Sequence, residues 1–222
     1  MIFAENSRGE EFQRIQLGVT FSPAYSYRTL KGDRENWALK LRNEDEIAKF
    51  GYSGGLNICF NRNSLFGIES GILYTNMGYR TKKRNLNFGD DVPDHELTIR
   101  HVYSYHYIDV PLKARLSTEW QKKVRFSTGI GVITGFLVGF TNTLQIENEK
   151  NQTSPLLTEN HNRVNLSPII SAGVDYMITS KSFLRVEPVF QYGLVNTIKS
   201  EAPISQYLWS MGVNVSYLIG IK

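Results

Sequence analysis

The chain has 222 residues, 41% of them hydrophobic and 12% aromatic, with a formal charge of +4 and a mean hydropathy of −0.29. That length suits one domain, no apolar run approaches the roughly 18 residues a membrane helix needs, and the mild basicity is too weak to point to nucleic acid. Cys59 is the single cysteine, which excludes an internal disulfide and a four-thiolate zinc site. A membrane β-barrel stays open, because its lipid face uses only every second residue and leaves a weak hydropathy signal.

Residues 1–13 do not form a complete secretory signal and are read as an N-terminal periplasmic segment or signal remnant ahead of a barrel over 14–222. From there, eight segments alternate in parity. The first, 14–28, sets Ile15, Leu17, Val19, Phe21, Tyr25 and Tyr27 against Gln16, Gly18, Thr20, Ser22, Ala24 and Ser26. The second, 50–60, opposes Tyr52, Leu56, Ile58 and Phe60 to Ser53, Gly55, Asn57 and Cys59, and the third, 65–80, sets Phe66, Ile68, Ile72 and Tyr74 against Gly67, Glu69, Gly71 and Thr75. In the fourth, 101–117, Ile108, Val110, Leu112 and Leu116 face away from Asp109, Lys113 and Arg115. The fifth, 123–142, puts Phe126, Ile130, Phe136, Val138 and Phe140 opposite Arg125 and a run of glycines at 129, 131, 135 and 139. The sixth, 163–178, carries Asp175 on its polar parity, the seventh, 183–197, Arg185 and Glu187, and the eighth, 206–221, Ser210, Gly212, Asn214 and Ser216.

The links alternate as well. Those after the second, fourth and sixth segments are short, whereas 29–49, 81–100 and 143–162 run about twenty residues and 198–205 is intermediate. Short periplasmic turns and long external loops give this rhythm in outer-membrane barrels, with both termini periplasmic. The rival is a soluble barrel with its apolar parity inside. The polar parity argues against it: Gly, Ser, Asn, Thr and Ala dominate where a water-facing surface would carry many long charged side chains. Small residues suit the interior of a narrow eight-stranded barrel. The expected fold is therefore an all-β, single eight-stranded antiparallel up-and-down transmembrane barrel.

On the lumen parity, Glu69, Asp109, Lys113, Arg115, Arg125, Asp175, Arg185 and Glu187 are expected to form a salt-bridged plug, because unpaired buried charge is expensive. A turn centred on Trp120 would set Arg115 against Arg125, and a turn at 179–182 would set Asp175 against Arg185 or Glu187. The glycines of the fifth segment would leave room for long arginines of the fourth and seventh. Tyr25, Tyr27, Tyr52, Tyr74, Tyr79, Tyr207 and Trp209 fit an outer aromatic girdle, Trp120 the periplasmic rim, and Tyr103, Tyr105 and Tyr107 a cap at the outer mouth. Arg80, Lys82, Lys83 and Arg84 are placed to meet lipopolysaccharide phosphates. Residues 35–50, with Trp37, Leu41, Ile47 and Phe50, contain a short helix in the first long loop.

The segment Tyr107-Ile108-Asp109-Val110-Pro111-Leu112-Lys113-Ala114-Arg115-Leu116 resembles a strand of the PorT-like outer-membrane β-barrel family of Bacteroidota, and Leu184–Leu194 is similar to that family's penultimate strand. The resemblance implies a porin-like barrel, with one member active in protein secretion. Terminal Tyr217-Leu218-Ile219-Gly220-Ile221-Lys222 lacks the final aromatic residue of proteobacterial barrels. Catalytic patterns are sparse: His95, His101, His106 and His161 fall in or beside external loops, near Asp90, Asp91 and Asp94, and neither a Gly-x-Ser-x-Gly elbow nor a His-Glu-x-x-His pair is present. The expectation is a non-enzymatic, cofactor-free and metal-free accessory subunit of an envelope complex for secretion, insertion or uptake, contacting outer-membrane lipid and other envelope proteins. A small passive pore and a rim-sited lipid-modifying or proteolytic enzyme are the alternatives.

Overall fold

Alternating segments of this length can bury their polar face only by closing on themselves, since an open sheet would leave edge strands with unpaired backbone groups. The computed structural model describes residues 14–32, 36–85, 97–119, 121, 123–199 and 203–221. The chain runs β1 (Ile15–Gly32), α1 (Trp37–Asp45), β2 (Glu46–Asn61), β3 (Phe66–Thr81), β4 (Arg84–Asn85), β5 (Thr98–Ser117), β6 (Val124–Ile146), β7 (Gln152–Pro155), β8 (Val164–Thr179), β9 (Ser182–Tyr192) and β10 (Ile204–Gly220). All pairings are antiparallel. Eight strands form a closed ring in the order β5-β3-β2-β1-β10-β9-β8-β6, with β6 returning to β5. The short β4 and β7 flank the β5–β6 pair where it extends beyond the barrel.

The faces are distributed as lipid demands. Leu56, Ile72, Leu112, Ile130 and Met211 are 61–67% exposed on the outside, while Arg115, Asp175, Arg185, Glu187 and Ser216 are at most 2% exposed inside. A soluble barrel with an apolar interior is thereby ruled out. Links at the two ends differ: 62–65 and 180–181 are short, while 82–97 and 147–163 are long and carry β4 and β7.

Several expectations change in detail. The first long link shrinks to 33–45 because β1 continues to Gly32 and β2 starts at Glu46, so Ile47 and Phe50 belong to a strand. α1 begins at an Asn36 cap whose side-chain oxygen accepts the Ala38 amide at 3.0 Å. β9 ends at Tyr192, not 197: the Gly193 amide still bonds the Leu208 carbonyl, but Asn196 then turns the chain by accepting the amides of Ile198 and Gln206. Phe140 faces the lumen at 8% exposure, because His106 pairs with Gly139 and Tyr107 with Leu137. That bulge leaves Val138 as an extra residue and reverses the parity of β6 beyond it. Tyr79 also points inward, sharing the parity of Thr75 and Met77.

The predicted pairing of Arg115 with Arg125 does not occur. Ser117 pairs with Ser127 and Arg115 with Gly129, so the hairpin centres two residues beyond Trp120. Trp120 itself, residues 1–13, and the loop carrying Asp90, Asp91, Asp94 and His95 lie outside the described residues.

Candidate functional site

The lumen is built in layers, and the end carrying the short turns begins with an apolar floor of Cys59, Phe183 and Leu218. Above it lies the ionic plug. Asp175 is opposite Arg125 across β6–β8 and opposite Arg185 across β8–β9, so register alone brings two guanidinium groups to one carboxylate. The Asp175 Oδ2 atom accepts Arg125 Nη2 at 2.6 Å and Arg115 Nη1 at 3.3 Å, while Oδ1 accepts Arg185 Nε at 2.7 Å. Arg185 Nη1 reaches Glu69 at 2.6 Å, and Lys113 Nζ bridges Glu69 at 3.2 Å and Glu187 at 3.0 Å. Asn214 donates a further bond to Glu187 at 3.2 Å. Four cations thus interlock with three carboxylates across β3, β5, β6, β8 and β9. Bidentate and shared bonds of this kind offset the cost of desolvating each ion, which a single pair would not.

Asp109 stands apart from the other seven. Its Oδ2 accepts the Thr75 hydroxyl at 2.6 Å, and it meets no cation among the described residues. The glycine face of β6 does make room, but for a lysine: a Cβ at Gly129 would come within 2.9 Å of Lys113 Cδ, and one at Gly131 within 2.6 Å of Lys113 Cα. The Tyr107–Leu116 segment sends Tyr107, Asp109, Lys113 and Arg115 inward, and Leu184–Leu194 supplies Arg185 and Glu187.

Past the plug is a chamber of about 70 Å³, lined by Asn57, Thr75, Asp109, Ser210 and Asn214 with Ile133 and Ile169, enough for a few water molecules. Toward the long-loop end lies an aromatic layer: Tyr105, Tyr107, Phe140, Met77, Tyr79 and Leu208 pack together, with Tyr105 and Phe140 stacked at 4.3 Å. Loop segments lie over this layer. His161 sits 4.6 Å from the Phe140 ring and 5.7 Å from Tyr105, and the Asn162 amide bonds the Thr197 carbonyl at 3.0 Å.

A second polar cluster near the long-loop end was not anticipated from the sequence. Arg28 is ion-paired to Glu46, donates to Gln206 at 2.9 Å and lies 4.0 Å over the Tyr79 ring. Arg42 of α1 joins Glu46 at 3.3 Å, and Gln206 donates to the Tyr105 hydroxyl at 2.9 Å. Parity carried one step beyond Ser26 and two steps back from Ser210 would have found Arg28 and Gln206. Glu46 is hidden by a bulge between Ala48 and Tyr52.

Of the basic run, Arg80 donates its Nε to the Ala48 carbonyl at 3.1 Å and Arg84 pairs with Asp45 at 2.9 Å, while Lys82 and Lys83 are exposed. The three described histidines bond hydroxyls and amides or stack on aromatic rings, and none meets a carboxylate among the described residues. No cluster of metal-ligating side chains is found among those residues either.

Comparison with known proteins places this architecture. The family described as outer membrane protein beta-barrel domain matches residues 3–199. No curated protein matches the sequence. Among solved structures, the chain is similar to OprG of Pseudomonas aeruginosa (9% identity, 96% of this chain and 99% of that one, TM-score 0.45). It is also similar to the N-terminal barrel domain of Pseudomonas aeruginosa OprF (14% identity, 93% and 98%, TM-score 0.42) and to Neisserial surface protein A (10% identity, 93% and 97%, TM-score 0.42).

Proposed function

The chain belongs to the outer membrane protein beta-barrel domain family, and on that footing we propose that it is a non-enzymatic barrel serving as an accessory subunit of an envelope protein complex. Its place is the outer membrane. In this reading the short turns and both termini face the periplasm and the long loops face outward, the arrangement usual for barrels with this loop rhythm. The observation that carries the reading is the filled lumen: among the described residues an apolar floor, an ionic plug and an aromatic layer follow one another, with a chamber of about 70 Å³ beside the plug. A protein built to pass solutes would keep a water-filled path instead.

What is left for function is the outer wall and the loops. The resemblance of Tyr107–Leu116 and Leu184–Leu194 to PorT-like strands supports a setting in secretion, insertion or uptake. Gentle detergent extraction followed by co-purification tests this, with a stoichiometric envelope protein as the expected result. The pore alternative is tested in planar bilayers, where the wild-type barrel is expected to show no steady conductance. A lone barrel that conducts would overturn the accessory reading, and a changed lipid A mass on deletion would favour an enzyme.

A further inference from the structure

At the end carrying the short turns, four strand pairs are extended past their ladders by a backbone bond to a basic residue. The Arg14 carbonyl accepts the Asn61 amide at 2.8 Å, and the Arg62 amide donates to the Phe66 carbonyl at 3.0 Å. The Lys123 carbonyl accepts the Met177 amide at 2.8 Å, and the Lys181 carbonyl accepts the Gly220 amide at 2.7 Å. These bonds continue the β1–β2, β2–β3, β6–β8 and β9–β10 pairs. In the order of the ring, the four cations are therefore spread around the rim, and no half of it lacks one. All four side chains are exposed.

Their charge is unanswered within the chain. None of the four forms an ion pair among the described residues, and Glu119 is the one exposed carboxylate among those described at this end. The long-loop end differs: Arg28 and Arg42 share Glu46, and Arg84 meets Asp45. Position on the wall indicates what supplies the missing charge. Just inside the rim, Phe60, Phe126, Tyr176 and Tyr217 are exposed on the outer face, and tyrosines at such a boundary mark the headgroup level. The cations stand just beyond this apolar band, where long stems lie along the wall and charged heads reach the interface. A partner docking from one side would be met by a one-sided patch. Charge on every side fits a partner that surrounds the barrel, and a lipid leaflet does.

We propose that Arg14, Arg62, Lys123 and Lys181 form a cationic collar that holds anionic phospholipid headgroups of the leaflet facing the short turns. The proposal rests on insertion in the outer membrane in the orientation given above, and not on the accessory role. Native mass spectrometry of the full chain, with phosphatidylglycerol and phosphatidylcholine of the same acyl chains as probes, tests it. Wild-type protein is expected to retain phosphatidylglycerol at least about fivefold better, the effect of one basic side chain at an anionic surface. Raising the ionic strength should shrink that preference, because exposed charges are screened. Arg14→Gln/Arg62→Gln/Lys123→Gln/Lys181→Gln should erase it. The charge-matched change at the other end, Lys31→Gln/Lys40→Gln/Lys82→Gln/Lys83→Gln, should keep it, each variant first checked for heat-modifiable migration. Equal retention of both probes by inserted wild type overturns the collar without requiring any variant to fold. It is overturned equally if the rim variant keeps the preference, if only the long-loop variant loses it, or if salt leaves it unchanged. A wild-type chain that does not insert into bilayers would sink the membrane reading and the collar with it.

Discussion

Asp175 holds three guanidinium groups on one carboxylate, so its removal is not equivalent to removal of any one arginine. Asp175→Asn leaves Arg115, Arg125 and Arg185 facing one another without their shared anion, and should cost about 3–5 kcal/mol in bilayer-based denaturant unfolding. Arg125→Met leaves Asp175 still bonded to Arg185 and Arg115. Its cost should be nearer 1.5–3 kcal/mol, roughly that of losing a charge-assisted hydrogen bond. If the two variants unfolded alike, the shared-anion picture would fail. His161 in the link 147–163 is another residue whose environment has a direction. Burial against Phe140, with a lesser contribution from Lys199, holds its ring below the ordinary value of 6.5, although a backbone bond at Leu157 opposes this. A depressed imidazole favours the packed segment while neutral. That stabilisation is complete above about pH 6.5 and is lost as pH falls through the folded-state value. Amide exchange at Asn162 and Lys199, corrected for intrinsic rates, should therefore accelerate from pH 7 to pH 5. His161→Phe should flatten that dependence.

Elements, rather than single residues, connect the loops to the lumen. α1 has no buried residue and is held at its N-terminus by the Asn36 cap and near its C-terminus by the Arg42–Glu46 pair. Asn36→Ala should weaken the helix by about 1 kcal/mol. Tryptic cleavage at Lys40 and Arg42 would then be a few times faster while the barrel stays intact, and unchanged cleavage would mean that the cap does not limit opening. β6 shows a different dependence. Its bulge at Val138 turns Phe140 into the aromatic layer, where Tyr105 stacks on it and His161 packs against it at a tilt. Phe140→Ala should cost about 3–5 kcal/mol. The same change at Phe136, which faces outward at 45% exposure, should cost visibly less in the same unfolding assay.

At the scale of the whole molecule, closure of the ring satisfies the backbone and the interior is filled in layers among the described residues. Three layers lie in series, the apolar floor, the plug and the aromatic layer. Arg115→Ala with Arg125→Ala should destabilise the barrel yet leave planar-bilayer conductance at baseline, because the aromatic layer is untouched. A conducting double variant would show that the plug alone closes the path.

The strand count and the assignment of faces were legible because a barrel strand has a period of two and its lumen admits few long side chains. Parity placed Arg115, Arg125, Asp175, Arg185 and Glu187 on one face without any knowledge of their partners. Partners depend on register. A hairpin centre displaced by two residues exchanges the expected Arg115–Arg125 contact for Arg115–Gly129, and leaves Asp175 to gather the arginines. Bulges defeat parity altogether, since one inserted residue reverses every face beyond it. That is why Phe140 and Glu46 took positions that alternation does not give. By itself the sequence determined an eight-stranded barrel with its apolar side outward and its charges within. Only the tertiary structure decided which charges meet, how the lumen is layered, and that the buried Lys49 is left on the neutral partners Asn76 and Ser104, because these follow from contacts between strands far apart in the chain.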